Sequence, residues 1–149
     1  MSLKRRAFLG ALATVPLVPQ MAWAREPEIF QTGGVAINGA DPVAYFQAGA
    51  PDATGNGFKV LWRGAQWQFD TKAAMSMFES NPGKYAPRFG GYCAFAASRG
   101  YLAPTIPEAW TIYEGRLYLN ANLRARELWL QDVPGNIAKG EANWPAILG

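Results

Sequence analysis

The chain has 149 residues, with 14 lysines and arginines, 11 aspartates and glutamates, and no histidine. The missing histidine excludes Ser–His and Cys–His catalysis and histidine-ligated zinc or haem. A single cysteine, Cys93, excludes an intramolecular disulfide and leaves one thiol that is buried, ligated or a route to a covalent dimer.

The N-terminus has the three-part layout of a secretory signal. Lys4-Arg5-Arg6 precedes the apolar stretch Ala11 to Val18, and Ala22-Trp23-Ala24 is a small-x-small cleavage site. The arginine pair, followed by Phe8 and Leu9, favours the twin-arginine route over the general secretory one. A spanning helix needs about 20 apolar residues, and Pro16 and Pro19 interrupt this stretch. Residues 1–24 therefore read as a signal peptide rather than a permanent membrane anchor, and the protein as periplasmic. The 125 residues from Arg25 onward suit one domain. Lys4, Arg5 and Arg6 leave with the signal, so 11 basic residues balance 11 acidic ones. A neutral domain gives no reason to expect nucleic acid or an anionic membrane as partner.

Residues 25–33 are polar and read as an irregular lead-in to a domain over 34–149. Val35-Ala36-Ile37 suits a short strand. Asp41-Pro42 is a helix start for Val43 to Phe46. Residues 49–57 are rich in Gly, Pro, Asp and Asn and read as a loop. Phe58 to Trp62 and Gln66 to Phe69 form a hairpin, with Phe58, Val60 and Trp62 on one face. Asp70-Thr71 caps a helix to about Ser80, which Asn81-Pro82-Gly83 stops. Gly90-Gly91 permits a backbone turn that other residues resist. The apolar run after it, through Ala97, is expected to be helical. Trp110 to Tyr113 and Arg116 to Leu119 flank Glu114-Gly115 as a second hairpin. Asn120 or Asn122 caps a helix to about Asp132, with Ala125, Leu128 and Trp129 inward. Pro134-Gly135 is expected to break it before a last short helix, Asn136 to Ala142. The class is α+β: small antiparallel β-hairpins packed with short helices in a single domain.

Four blocks carry a family resemblance. They are Gly39-Ala40-Asp41-Pro42-Val43-Ala44-Tyr45-Phe46; Trp67-Gln68-Phe69 with Phe78 and Asn81 to Pro87; Gly90-Gly91-Tyr92-Cys93-Ala94; and Glu108-Ala109-Trp110 with Gly115 to Asn120 and Asn143-Trp144-Pro145. In this order they resemble the exported single-domain branch of the YHS-domain family, over about residues 34–145. YHS domains also occur in metal-transporting ATPases and oxygenase-associated proteins. The resemblance implies a binding role toward heavy metals, resting on Cys pairs or other soft ligands after the aromatic strand. This chain departs from that pattern, because it lacks a second cysteine and all histidine. Only Cys93 carries over as a soft ligand.

The residues leave Cys93 two readings. It is a small buried apolar residue, or a redox-active thiol or thiolate for copper or another soft metal, with Met75 or Met77 as thioether partner; a catalytic nucleophile would need a base, and beside Arg88 and Arg99 none is evident. The two methionines sit about 200° apart on a helix, so they do not serve together. Tyr45, Tyr85, Tyr92 and Tyr118 carry hydroxyls that need partners when buried. With Cys93 and Arg88 at the rim, they are candidates for a small-ligand pocket. Asp41, Asp70 and Asn120 fit helix caps better than metal ligands. Glu108, Glu114 and Asp132 show no pairing suited to acid–base chemistry without histidine. The function expected is thus an exported binding module for a soft metal ion or a small ligand. The alternative is a non-catalytic domain that binds a protein partner in an exported redox or metal-handling system.

Overall fold

Three two-residue turns with left-handed backbone build the strands. Gly33-Gly34 (φ 58° and 83°) folds β1 (Gln31–Thr32) onto β2 (Val35–Ala36). Arg63-Gly64 (φ 49° and 76°) joins β3 (Phe58–Trp62) to β4 (Ala65–Phe69). Glu114-Gly115 (φ 49° and 74°) joins β5 (Trp110–Tyr113) to β6 (Arg116–Leu119). Positive φ at both central residues matches the right-handed twist of the flanking strands. The first four strands form one sheet in the order β1-β2-β4-β3, with a parallel contact between Val35 and Gln66; β5 and β6 form a second.

The computed structural model describes Gly10, Ala11 and residues 13–19, 24–49 and 57–149. Most of the expected signal, residues 1–9, 12 and 20–23, lies outside the described residues, as do residues 50–56 of the expected loop. Residues 13–19 contain no helix or strand, and Val15, Leu17 and Val18 are exposed. Among the described residues no helix is long and apolar enough to cross a membrane.

Among the described residues six α-helices complete the α+β domain: α1 (Ala44–Gln47), α2 (Lys72–Ser80), α3 (Pro82–Tyr85), α4 (Ala94–Arg99), α5 (Leu123–Leu130) and α6 (Val133–Asn143). Side-chain caps start most of them. Thr71 Oγ1 accepts from Ala74 N at 3.0 Å for α2, and Asn122 Oδ1 accepts from Ala125 N at 2.7 Å for α5. Asp41 does more than start α1. Its Oδ1 accepts from Val43 N and Ala44 N, while its Oδ2 accepts from Asp70 N at 2.9 Å, at the end of β4. One buried carboxylate therefore ties α1 to the four-stranded sheet.

Two expectations need correction. The lead-in is not irregular: it contains β1, and Ile29 and Phe30 are core residues. A strand of two residues is too short to show alternation, so β1 carried no signal, whereas β2 falls within the strand expected at Val35-Ala36-Ile37. Pro134-Gly135 does not break a helix. Pro134 lies in the first turn of α6, where its missing N–H costs nothing, and Asp132 Oδ1 caps that turn by accepting from Gly135 N at 3.1 Å. Asn81-Pro82-Gly83 stops α2 as expected, and Pro82 also starts α3.

Two apolar clusters make the core. In the larger, Trp62, Trp67 and Phe69 surround Phe78 at ring-centroid distances of 5.6, 5.1 and 5.2 Å. Burying Phe78 contributes about 1.5–3 kcal/mol. The smaller cluster joins Phe89, Ala94, Ala97, Tyr118 and Trp129, and Trp144 packs against both. A tight turn, Arg88–Gly91, connects them. Phe89, Gly90 and Gly91 adopt φ of 56°, 63° and 85°, and Gly90 O accepts from Phe30 N at 2.9 Å. A Cβ on Gly90 would overlap the Glu28 carbonyl oxygen.

Gly33 has similar left-handed backbone but open space around it. Gly33→Ala is therefore expected to cost about 1 kcal/mol, the conformational term alone. Gly90→Ala adds a backbone collision and is expected to cost more than about 2 kcal/mol. Urea denaturation of the two variants measures the difference, and equal costs would remove the close approach from the account.

Candidate functional site

Cys93 sits at the start of α4, and its thiol is fully engaged. Sγ accepts from Ala96 N at 3.5 Å and donates to Asn120 Oδ1 at 3.4 Å. Asn120 Oδ1 also accepts from Phe95 N at 3.0 Å. Asn120 therefore caps α4, a helix far earlier in the chain, rather than α5. Its own Nδ2 is buried and has no partner among the described residues. Cys93 is 2% exposed. The Met77 sulfur lies on α2 and accepts from Gln47 Nε2 at 3.6 Å, and Met75 packs against the larger cluster. Among the described residues no three of His, Cys, Asp and Glu gather as a metal-binding group. To reach an ion the thiol would have to leave two hydrogen bonds and the core.

The four tyrosines do not line one pocket. Tyr45 Oη donates to Pro107 O at 2.9 Å, and Tyr92 Oη donates to Pro27 O at 2.8 Å. Each ties together segments more than 60 residues apart. Tyr85 meets Phe46 edge-on at 5.5 Å, and Tyr118 stacks on Trp129 at 5.0 Å. Burial pushes the phenols of Tyr45, Tyr92 and Tyr118 upward; Glu108 adds to this at Tyr45 and Glu26 at Tyr92, while Arg88 opposes it at Tyr118.

Of the six pocket residues expected, Arg88 and Tyr118 share one of three cavities among the described residues. That cavity, about 380 Å³, is also lined by Tyr113, Glu114, Arg116 and Glu141. An adjoining cavity of about 490 Å³ is lined by Glu28, Trp62, Arg63, Arg88, Glu141 and Trp144, among others. Both volumes lie in the range of small-molecule sites. Tyr92 lines a separate depression with Leu102 and Pro104. Tyr45, Tyr85 and Cys93 line none of these three.

Local structure explains how the twin cleft is assembled. Arg88 opens the left-handed turn that connects the two clusters. Glu141 comes from the last turns of α6, and Trp144 follows its end. Gly140, next to Glu141, lets the Phe89 ring press against α6 where a Cβ would not fit. On the opposite side, Arg63 in the β3–β4 turn donates to Glu28 at 2.8 Å and lies 4.5 Å above the Trp62 ring. Arg88 and Glu141 form a looser pair at 3.6 Å, with side chains 36% and 54% exposed, and they belong to both cavities. Two guanidiniums, two carboxylates and two indoles thus face one cleft. Such a set can grip a polar ligand through forked hydrogen bonds and a flat apolar surface.

Arg88 was legible in the sequence as a rim residue. Glu28, Arg63, Glu141 and Trp144 were not, because they come from three distant segments: the lead-in, the β3–β4 turn and the end of α6. The Arg63-Gly64 turn after an aromatic strand was the one local signal available.

Compared with protein-family models, curated proteins and solved structures, the chain matches none.

A thiol-specific maleimide is expected to label native Cys93 at less than about one-hundredth of its rate in urea, as burial and hydrogen bonding dictate. Mass spectrometry of the adduct follows this, and equal rates would place the thiol at the surface. The tyrosines predict a second behaviour. Tyr45, Tyr92 and Tyr118 have folded-state pKa values above the ordinary 10.0. The native state then holds phenolic protons that the unfolded state releases. Stability is full below pH 10 and falls as pH rises through that value. Phenolate absorbance is expected to appear late in the native protein and to coincide with alkaline unfolding.

Proposed function

We propose that this chain is an exported, YHS-like binding module that holds a small ligand in the twin cleft around Arg88 and Glu141. The observation that carries this reading is the Arg88–Glu141 pair itself. It is half-exposed, loosely closed, and shared by two cavities of ligand size. The four sequence blocks resembling YHS domains support the family part of the proposal. The N-terminal arginine pair supports export. A copper or other soft-metal site at Cys93 is the weaker form of the same reading, given the thiol's burial and its two hydrogen bonds.

Native mass spectrometry of the protein purified from its exported compartment separates these forms. A bound mass is expected in the wild type and in Cys93→Ala, and its loss is expected in Arg88→Ala. Loss in Cys93→Ala alone would move the site to the thiol. An apo mass throughout would remove the binding role.

A second reading, a domain that binds a protein partner, is favoured by β3. It is the outer strand of its sheet, with Leu61 79% exposed and Phe58 38% exposed. Outer strands with exposed apolar side chains are templates for pairing with another chain. Leu61→Lys is expected to leave ligand occupancy of the cleft unchanged. Under the second reading it instead abolishes retention of an exported partner.

A further inference from the structure

The charges of the larger cavity narrow the class of ligand. Arg63 and Arg88 face it with Glu28 and Glu141, so its charged groups sum to zero. Each guanidinium already has a carboxylate partner, at 2.8 Å for Arg63–Glu28 and 3.6 Å for Arg88–Glu141. A simple anion would have to displace one of these carboxylates and leave it facing the anion's own charge. A simple cation meets the same difficulty at the guanidinium. A molecule carrying both charges avoids it, because each group displaced from one contact gains another.

The two pairs are not equivalent. Arg63–Glu28 has the length of a charge-assisted hydrogen bond, and Arg63 also lies over the Trp62 ring. Arg88–Glu141 is beyond the usual hydrogen-bond range of about 2.7–3.2 Å. It is the pair that opens with least loss. Around it the cavity offers apolar surface from Trp62 and Trp144. Trp144 is itself held edge-on by Phe89 at 6.1 Å, so its position is set by the core.

We infer, building on the binding role proposed above, that the cleft takes a small zwitterion of the amino-acid type with a flat apolar side group. Its carboxylate enters the Arg88 fork, its ammonium meets Glu141, and its side group lies against the indoles of Trp62 and Trp144. Arg63–Glu28 stays closed and forms the far wall. The bound state then keeps the zero charge of the free cleft. It replaces one long ion pair by two shorter ones.

Four probes test the class by isothermal titration of the full protein: phenylalanine, N-acetylphenylalanine, phenethylamine and glucose. Phenylalanine carries both charges, the next two carry one each, and glucose carries none. Phenylalanine is expected to bind at least about tenfold tighter than any of the other three. Arg88→Glu and Glu141→Arg are each expected to abolish that preference. The double exchange Arg88→Glu with Glu141→Arg is expected to restore it, because the zwitterion can bind in the reversed sense. Circular dichroism confirms that each variant is folded. Equal binding of N-acetylphenylalanine would make this an anion site and overturn the inference, as would tighter binding of glucose. Absence of binding by all four also overturns it. The broader binding role is decided separately by the mass retained on purification and survives that outcome.

Discussion

The left-handed turn at Phe89-Gly90-Gly91 is the constraint on which the remaining structure depends. Three consecutive residues with positive φ are costly for ordinary side chains, and two of the three are glycine. The turn allows the backbone at Gly90 to lie directly against the Glu28 carbonyl. It also sends Phe89 into the smaller cluster and Tyr92 into the larger one. Arg88, at its start, is thereby held between them at the mouth of both cavities. The site and the packing of the core share one backbone conformation.

Around that turn the domain is closed by polar side chains that reach across long sequence distances. Asp41 serves α1 and the end of β4 at once. Burial pushes its carboxyl above the ordinary value, while the three amides it accepts from pull it back. Thr105 Oγ1 donates to Gly91 O at 2.7 Å, and Asn38 Nδ2 donates to Thr105 O at 2.7 Å. The backbone joins the lead-in to the C-terminal segment as well: Glu26 N donates to Leu148 O at 2.8 Å. Buried groups of this kind contribute modestly when paired and cost more when orphaned. They specify which of many compact arrangements the aromatic residues adopt. Asn120 Nδ2 and Trp129 Nε1 are the exceptions among the described residues, buried without a partner.

The chemistry of the cleft follows from what the core leaves outside. Most of the aromatic residues are taken up by packing, and the Cys93 thiol is buried in two hydrogen bonds at the start of α4. The charged residues at the turns and at the end of α6 remain at the surface and are paired across elements. Exposed pairs of this kind hold little energy, about 0–1 kcal/mol each. A ligand can therefore open one cheaply, which a buried pair would not allow.

The sequence by itself determined the local events. Gly33-Gly34, Arg63-Gly64 and Glu114-Gly115 dictate tight turns because glycine accepts positive φ. Thr71 and Asn122 can stop a helix backing up, because a short oxygen-bearing side chain satisfies a free amide within three residues. The alternation around Trp67 and Phe69 marks a buried strand, and these signals together specify the α+β class. Tertiary structure alone decided the rest. Whether Asn120 caps the helix after it or one 25 residues before it depends on where β6 ends in space. Whether four tyrosines line a pocket depends on which distant carbonyls lie within reach of their hydroxyls, and Pro27 and Pro107 claimed two of them. Local sequence carries no record of such meetings. The twin cleft is the clearest case, since Glu28, Arg63, Arg88 and Glu141 become neighbours only when the β3–β4 turn, the lead-in, the left-handed turn and α6 converge.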